Sequence, residues 1–333
     1  MKTIRISRQG FTNIGMHSWL RYFIFILTKK YNVIVDPINP DIVFFSNIHC
    51  SEGQEDTFLK TPLKMHDRND TSKKFVFVSG EISDFQAVVD YGENHWVLGY
   101  SHIDHPRYFR LPSYVIDTWV LFDEARMFDT PFGWLTEKRD YNKIKSQFNS
   151  QYSGFASVTQ NSSVDFRGRV FDILEKHKPV TSSGPWRQNV EAQGVPGLDR
   201  HQWQNVLFTG RIDGLTYREK IEFFKRYKFN ITVQLTNTDY VTQEKLIHAY
   251  AANTIPLFYG NQFIEQEGFN PNTFINLHKY EHLDDFLEDV IRIDTDESVH
   301  RSYIEEPIFA GNKLPDYFDF DNVLSFLEKV VES

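Results

Sequence analysis

The sequence predicts an α/β protein built from two Rossmann-like halves. Three observations lead there. Short β-branched and aromatic runs alternate with amphipathic helical stretches, the alternation weakens once near the middle of the chain, and it then restarts in the same form. Strands that alternate with helices imply a parallel sheet covered on both faces. Two such halves are expected to face a central cleft, with ligands at the carboxyl ends of the strands.

Taken in order, Trp19 to Lys30 reads as an amphipathic helix, and Asn32 to Asp36 and Asp41 to Ser46 as short strands. KKFVFVSG, Lys73 to Gly80, is the clearest strand of the first half and is followed by Glu81. Trp96 to Tyr100 is another. From Asp140 to Thr159 the sequence is polar and has no clean period, which sets the domain boundary near residue 150 and gives domains 1–150 and 151–310. Beyond it, Val164 to Lys176 reads as a helix and Asn205 to Phe208 as a short strand. Thr216 to Lys225 reads as a helix with Thr216 and Glu219 spaced as a capping box. Phe229 to Gln234 is a strand, Thr242 to Ala252 a helix, and Thr254 to Tyr259 a strand ending at Gly260. Leu283 to Ile293 and Asp321 to Val331 are the closing helices. The last one, within 311–333, is expected to pack back on the first domain.

Composition narrows the function. The 333 residues leave room for two domains, and 41% hydrophobic with 24% charged residues excludes a disordered chain. A net charge of -9 argues against nucleic-acid binding through phosphate backbones. Thirty Phe and sixteen Tyr suit sugar and base stacking, although most are expected in cores. Cys50 is the sole cysteine, so no internal disulfide forms, as in a reducing compartment. The start, MKTIRISRQGFTNIG, lacks the apolar run of a signal peptide. The apolar stretch Trp19 to Leu27 contains Arg21 and is far shorter than the roughly 20 residues of a spanning helix. The expectation is a cytoplasmic protein whose membrane contact, if any, is peripheral.

The densest chemistry lies in YKFNITVQLTNTDYVTQEKLIHAYAANTIPLFYGN, residues 227–261. A strand runs into a polar loop ending at Thr242, a plausible N-cap, and Lys245 falls in the first helical turn. A helix amino end with a lysine suits a diphosphate, and Glu244 suits ribose hydroxyls. An exposed Glu–Lys pair on a surface helix is the plainer alternative. Glu81, just past a strand end, suits general-base work, or is an ordinary turn carboxylate in GEISD. Two Asp-x-Asp pairs, Asp294 with Asp296 and Asp319 with Asp321, have the spacing of metal ligands, but neither follows a strong strand, and the second reads as a helix cap. His102, Asp104 and His105 lack an evident fourth ligand. No Gly-x-Ser-x-Gly appears, which argues against a covalent hydrolase.

The run YVTQEKLIHAYAANTIPLFYGN resembles the signature of glycosyltransferase family 10, the α-1,3-fucosyltransferases, through Tyr240, Val241, Thr242, Glu244, Lys245, Tyr250, Ile255, Pro256 and Gly260. FNPNTFINLHKYEHLDDF continues the likeness. SGFASVTQNSSVDFRGRVFDIL followed by KPVTSSG resembles the family layout and puts Arg167 at the diphosphate arginine, with Arg169 as competitor. FVFVSGE and YFRLPSY extend the resemblance through the first half. The departures are Gln234, Leu235 and Thr236 where the family has Glu-Asn-Ser, an extra Gln243, and Tyr259 in place of tryptophan.

The resemblance implies a GT-B architecture with an acceptor-side domain 1–150 and a nucleotide-sugar domain 151–310. It implies an inverting transferase moving L-fucose from GDP-fucose to a β-galactoside or N-acetylglucosamine-containing oligosaccharide or glycolipid, as in protein glycosylation or lipopolysaccharide assembly. Glu81 would be the base. Arg167, Tyr240, Glu244, Lys245 and Gln234 would hold the donor, with no cofactor and no divalent metal required. Two alternatives remain: a relative using another GDP-6-deoxyhexose, which the Gln234 and Leu235 changes keep open, and a non-catalytic glycan- or nucleotide-binding module.

Overall fold

The structure, a computed structural model, describes residues 1–9, 16–46, 55–56, 61–62, 65–79, 83–119, 132–149, 154–159, 164–183, 186–189, 215–234, 237 and 244–333. They form two units, one from Met1–Val120 with Pro315–Ser333 and the other from Leu121–Thr209 with Asp213–Leu314.

The first unit carries strands β1 (Thr3–Gln9), β2 (Asn32–Val35), β3 (Ile42–Phe45), β4 (Glu55–Asp56), β5 (Thr61–Pro62), β6 (Lys74–Val78), β7 (His95–Gly99) and β8 (Tyr108–Arg110). Its helices are α1 (Met16–Thr28), α2 (Phe85–Asp90) and α3 (Ser113–Trp119). Six strands make one sheet in the order β2-β1-β3-β6-β7-β8, every neighbour parallel, and β4 and β5 pair apart from it as an antiparallel ribbon. Strands β3, β6 and β7 are apolar along nearly their whole length, as a sheet covered on both faces requires. β1 departs from that rule. Ile4 and Ile6 point into the core, but its carboxyl end buries Ser7, Arg8 and Gln9, so the sequence shows no strand signal there.

The second unit carries α4 (Tyr141–Asn149), β9 (Gly154–Val158), α5 (Asp165–Glu175), β10 (Val180–Ser182), α6 (Leu215–Phe224), β11 (Tyr227–Val233), α7 (Lys245–Ala251), β12 (Ile255–Tyr259), β13 (Ile275–Asn276), α8 (Leu283–Thr295) and α9 (Glu297–Glu305). Its sheet is also parallel throughout, in the order β10-β9-β11-β12-β13. Helix α10 (Phe320–Glu332) returns to the first unit, where it packs on α1 and sets Phe326 against Trp96 and Phe109.

The division falls at Val120, before the boundary expected near residue 150. The cause is α4, which looks polar yet places Tyr141 and Ile144 in the second unit's core. Tyr141 Oη lies 3.0 Å from His300 Nδ1, and Arg139 just ahead of α4 donates to the Glu306 carbonyl at 2.8 Å. Helix α6 starts at Leu215, which leaves Thr216 inside the helix rather than at the cap the sequence suggested. The strand expected over Asn205 to Phe208 lies outside the described residues.

Aromatics fill these cores. Of the twelve largest fully buried side chains among the described residues, eleven are aromatic and the twelfth is Arg167. Packing is tight enough to dictate a glycine at the start of β9, where a Cβ on Gly154 would stand 2.2 Å from the Tyr227 ring. Gly154→Ala is therefore expected to cost about 1–3 kcal/mol, measured as a lowered denaturant midpoint, with most of the loss recovered when Tyr227 is shortened in the same chain.

Candidate active site at the carboxyl edge of the second sheet

Both sheets share one winding scheme: the second strand lies outside the first, and later strands add on the other side. In such a sheet the helices after the first and third strands leave in opposite directions, and ligands collect where they part. In the second unit that point is the carboxyl ends of β9 and β11.

Arg167 is delivered there by the first turn of α5. It is 1% exposed, and its Nε and Nη2 donate to the Val233 carbonyl, the last of β11, at 3.2 and 2.7 Å. Burial lowers its pKa to about 10, which leaves it cationic at neutral pH. Arg169 points the other way. It is 60% exposed, pairs with Asp165 at 3.3 Å and lies over the Phe166 ring. Of the two arginines, the structure therefore brings Arg167 to the strand edge.

Gln234 follows Val233 and is buried, its N–H donating to the Tyr259 carbonyl at 2.8 Å. Its side chain lies against Gly260, where a Cβ would come within 2.6 Å of Gln234 Oε1. Tyr259 lies between Phe166 and His278, with ring centroids 4.1 and 4.3 Å away. Asn237, exposed, reaches the Tyr259 hydroxyl at 3.5 Å.

Glu244 and Lys245 begin α7, which follows β11. Their side chains are 26% and 14% exposed, with Lys245 Nζ 3.4 Å from Glu244 Oε1. A surface-helix pair would be far more open. Burial raises the Glu244 pKa, but the charges of Lys245 and Lys220 outweigh it and hold the carboxyl at about 2. His248, one turn on, is fully buried, and that burial together with Lys220 keeps it well below the usual histidine value. Lys220 on α6 carries no motif signal, and only the packing of α6 on α7 reveals it, whereas His248 lies at i+4 from Glu244 on α7 itself. Thr242, expected as the N-cap, and Tyr240 lie outside the described residues, as does Glu81. The structure therefore brings Arg167, Gln234, Glu244 and Lys245 to one sheet edge. Glu81 belongs to the first unit's chain, following the carboxyl end of β6.

The Asp-x-Asp pairs have other partners. Asp294, 2% exposed at the side chain, accepts from His177 at 2.9 Å, from Lys228 at 2.8 Å and from Lys178. Asp296 caps α9 through Ser298 N at 2.8 Å, and Asp319 caps α10 through Asp321 N at 2.8 Å. No helix among the described residues is long and apolar enough to cross a membrane.

Residues 158–305 match the model of glycosyltransferase family 10 (fucosyltransferase), C-terminal part. That segment is similar to the family 10 fucosyltransferase domain. It spans β10 through β13, the helices α5 to α9 and all four described candidate residues. The chain is 26% identical over 185 residues to the α-(1,3)-fucosyltransferase FucT of Helicobacter pylori, covering 54% of this chain and 34% of that one. It is 26% identical over 179 residues to the putative fucosyltransferase R654 of Acanthamoeba polyphaga mimivirus, covering 54% of this chain and 26% of that one. The chain thus spans about a third or less of the length of these curated relatives. A crystal structure of α1,3-fucosyltransferase with GDP-fucose superposes with a TM-score of 0.65 at 20% identity, covering 100% of this chain and 92% of that one. The chain shares its fold, the GT-B fold of two α/β domains.

Two outcomes are expected. The Asp294 carboxyl is raised by burial but held at about 2 by its bonds to Lys178, Lys228 and His177. A depressed folded pKa adds stability above the unfolded value, and that stability is lost as pH falls through the folded value. Asp294→Asn should thus lower unfolding free energy by about 3 kcal/mol at pH 7, and urea titrations should show the gap closing between about pH 4 and pH 2. For the Gln234–Gly260 contact, Gly260→Ala should destabilise the domain, and adding Gln234→Ala should restore part of the loss. Strictly additive melting shifts would refute that contact.

Proposed function

We propose that the chain is an inverting fucosyltransferase that uses GDP-fucose. The gathering of Arg167, Gln234, Glu244 and Lys245 at the switch point of a family 10 domain carries this reading. A GDP-sugar leaves as GDP, and the departing diphosphate gathers negative charge. Preorganised cations aimed at that charge lower the barrier in a site sheltered from water. Arg167 is fixed by burial and by the Val233 carbonyl, and Lys245 supplies a second charge, so no divalent ion is required to neutralise the leaving group. Glu244, held ionised, accepts hydrogen bonds from ribose hydroxyls.

The step balances as follows. An acceptor hydroxyl oxygen attacks the anomeric carbon while the bond from that carbon to the diphosphate oxygen breaks. The electron pair leaves with GDP, and Glu81 takes the hydroxyl proton. The acceptor is a β-galactoside or N-acetylglucosamine-containing glycan. A second donor, another GDP-6-deoxyhexose, is favoured by one observation: the buried Gln234 replaces the family's glutamate and loses its charge.

Product masses from a panel of GDP-sugars and β-galactoside acceptors separate the two donors. Glu81→Gln is expected to reduce turnover by about 10²–10⁴-fold while GDP still binds. Lys245→Ala should weaken donor binding by about 10–100-fold. GDP binding without transfer to any acceptor would instead mark a non-catalytic module, and wild-type rates in Glu81→Gln would remove that residue from the mechanism.

A further inference from the structure

The first unit carries a cavity at the opposite, amino edge of its sheet. Its volume is about 470 Å³, within the range of about 300–1,000 Å³ typical of small-molecule sites. Two segments line it, one leading into β6 and one into β7, together with Ser333 after α10, and Lys74 and His95 are the first residues of those strands. Position 81 follows the other end of β6. The cavity is thus separate from the edge where an α/β sheet ordinarily binds its substrates.

Its lining is chemically mixed. Arg68 and Lys74 pair with no carboxylate among the described residues, whereas Lys73 between them is tied to Asp70. The Arg68 guanidinium is held over two rings, 5.5 Å from the Phe45 centroid and 5.8 Å from that of Tyr91. This fixes its plane without using up its charge. Tyr91 is 53% exposed, and its hydroxyl donates to Asn69 Oδ1 at 3.2 Å, which sets the ring at the cavity wall.

The floor is rigid. Asn94 Nδ2 donates to the Asp70 and Lys73 carbonyls at 3.2 and 3.0 Å, so its Oδ1 must accept from His95 Nδ1 at 3.0 Å. His95 Nε2 is then a bare acceptor, buried and without a hydrogen-bond partner among the described residues. Glu93 is the one carboxylate side chain in the lining.

We infer that this cavity binds a saccharide carrying one oxyanion, either a sugar acid or a sugar phosphate. Arg68 and Lys74 receive the oxyanion, a guanidinium being suited to two parallel hydrogen bonds. The Tyr91 ring meets the apolar face of the sugar. Glu93 accepts from sugar hydroxyls and disfavours a ligand of higher charge. A neutral sugar offers neither cation an oxyanion.

The test titrates glucuronate, glucose 6-phosphate, glucose and inorganic phosphate into the full chain, followed by NMR shifts without any nucleotide, so it stands apart from the transferase reading. At least one of the two anionic sugars is expected to bind about tenfold or more tighter than glucose and than phosphate. Whichever binds names the source of the oxyanion. Arg68→Ala and Lys74→Ala should each weaken it about tenfold, with melting temperatures confirming that the variants fold. Lys74 stacks on no ring among the described residues, so its variant keeps the test decisive if Arg68→Ala unfolds. The inference is overturned if neither anionic sugar binds, if glucose or phosphate binds as well, or if Lys74→Ala binds like the wild type.

Discussion

A guanidinium inside a protein must find acceptors, and here the final carbonyl of β11 supplies one. The bond between Arg167 and Val233 does two things at once. It satisfies a strand-end carbonyl that the sheet leaves over, and it holds a permanent charge where β9 and β11 diverge. Gln234 is fixed on the next residue by the neighbouring strand, and Glu244 and Lys245 reappear at the start of the following helix. The polar groups of this edge are thus anchored to secondary structure at both ends of the connecting loop. In a chain with a net charge of -9, such a local concentration of positive charge arises from placement, not composition.

The two edges of the second sheet differ in electrostatic character. At the amino edge, Lys228 at the start of β11 and the basic pair ahead of β10 converge on Asp294, so their charge is neutralised within the fold. At the carboxyl edge, Glu244 is the only described acid beside Lys245. The same residue types serve cohesion at one end and, on the reading proposed above, ligand capture at the other.

Much of this was legible in the sequence. The apolar runs of β3, β6, β7 and β12 announced parallel strands because both of their faces are covered. The spacing of Glu244 and Lys245 before an apolar helix announced a helix start at a strand end. β1 was not legible, because its last three residues are polar and buried. Helix α4 was not legible either, because among its described side chains only Tyr141 and Ile144 enter the core. The choice between Arg167 and Arg169 needed three dimensions, since two residues of helix separate inward from outward. Lys220 meets Glu244 through the packing of α6 on α7, which no local spacing encodes, whereas His248 lies one helical turn from Glu244.

The contact between Gln234 and Gly260 bears on how such sequences diverge. Glutamine and glutamate have the same shape, so the exchange at 234 leaves the volume beside the glycine unchanged. The two positions, twenty-six residues apart in the chain, are sterically one unit. A lineage that enlarges residue 260 must first shorten residue 234, and descendants should show the pair changing together or not at all.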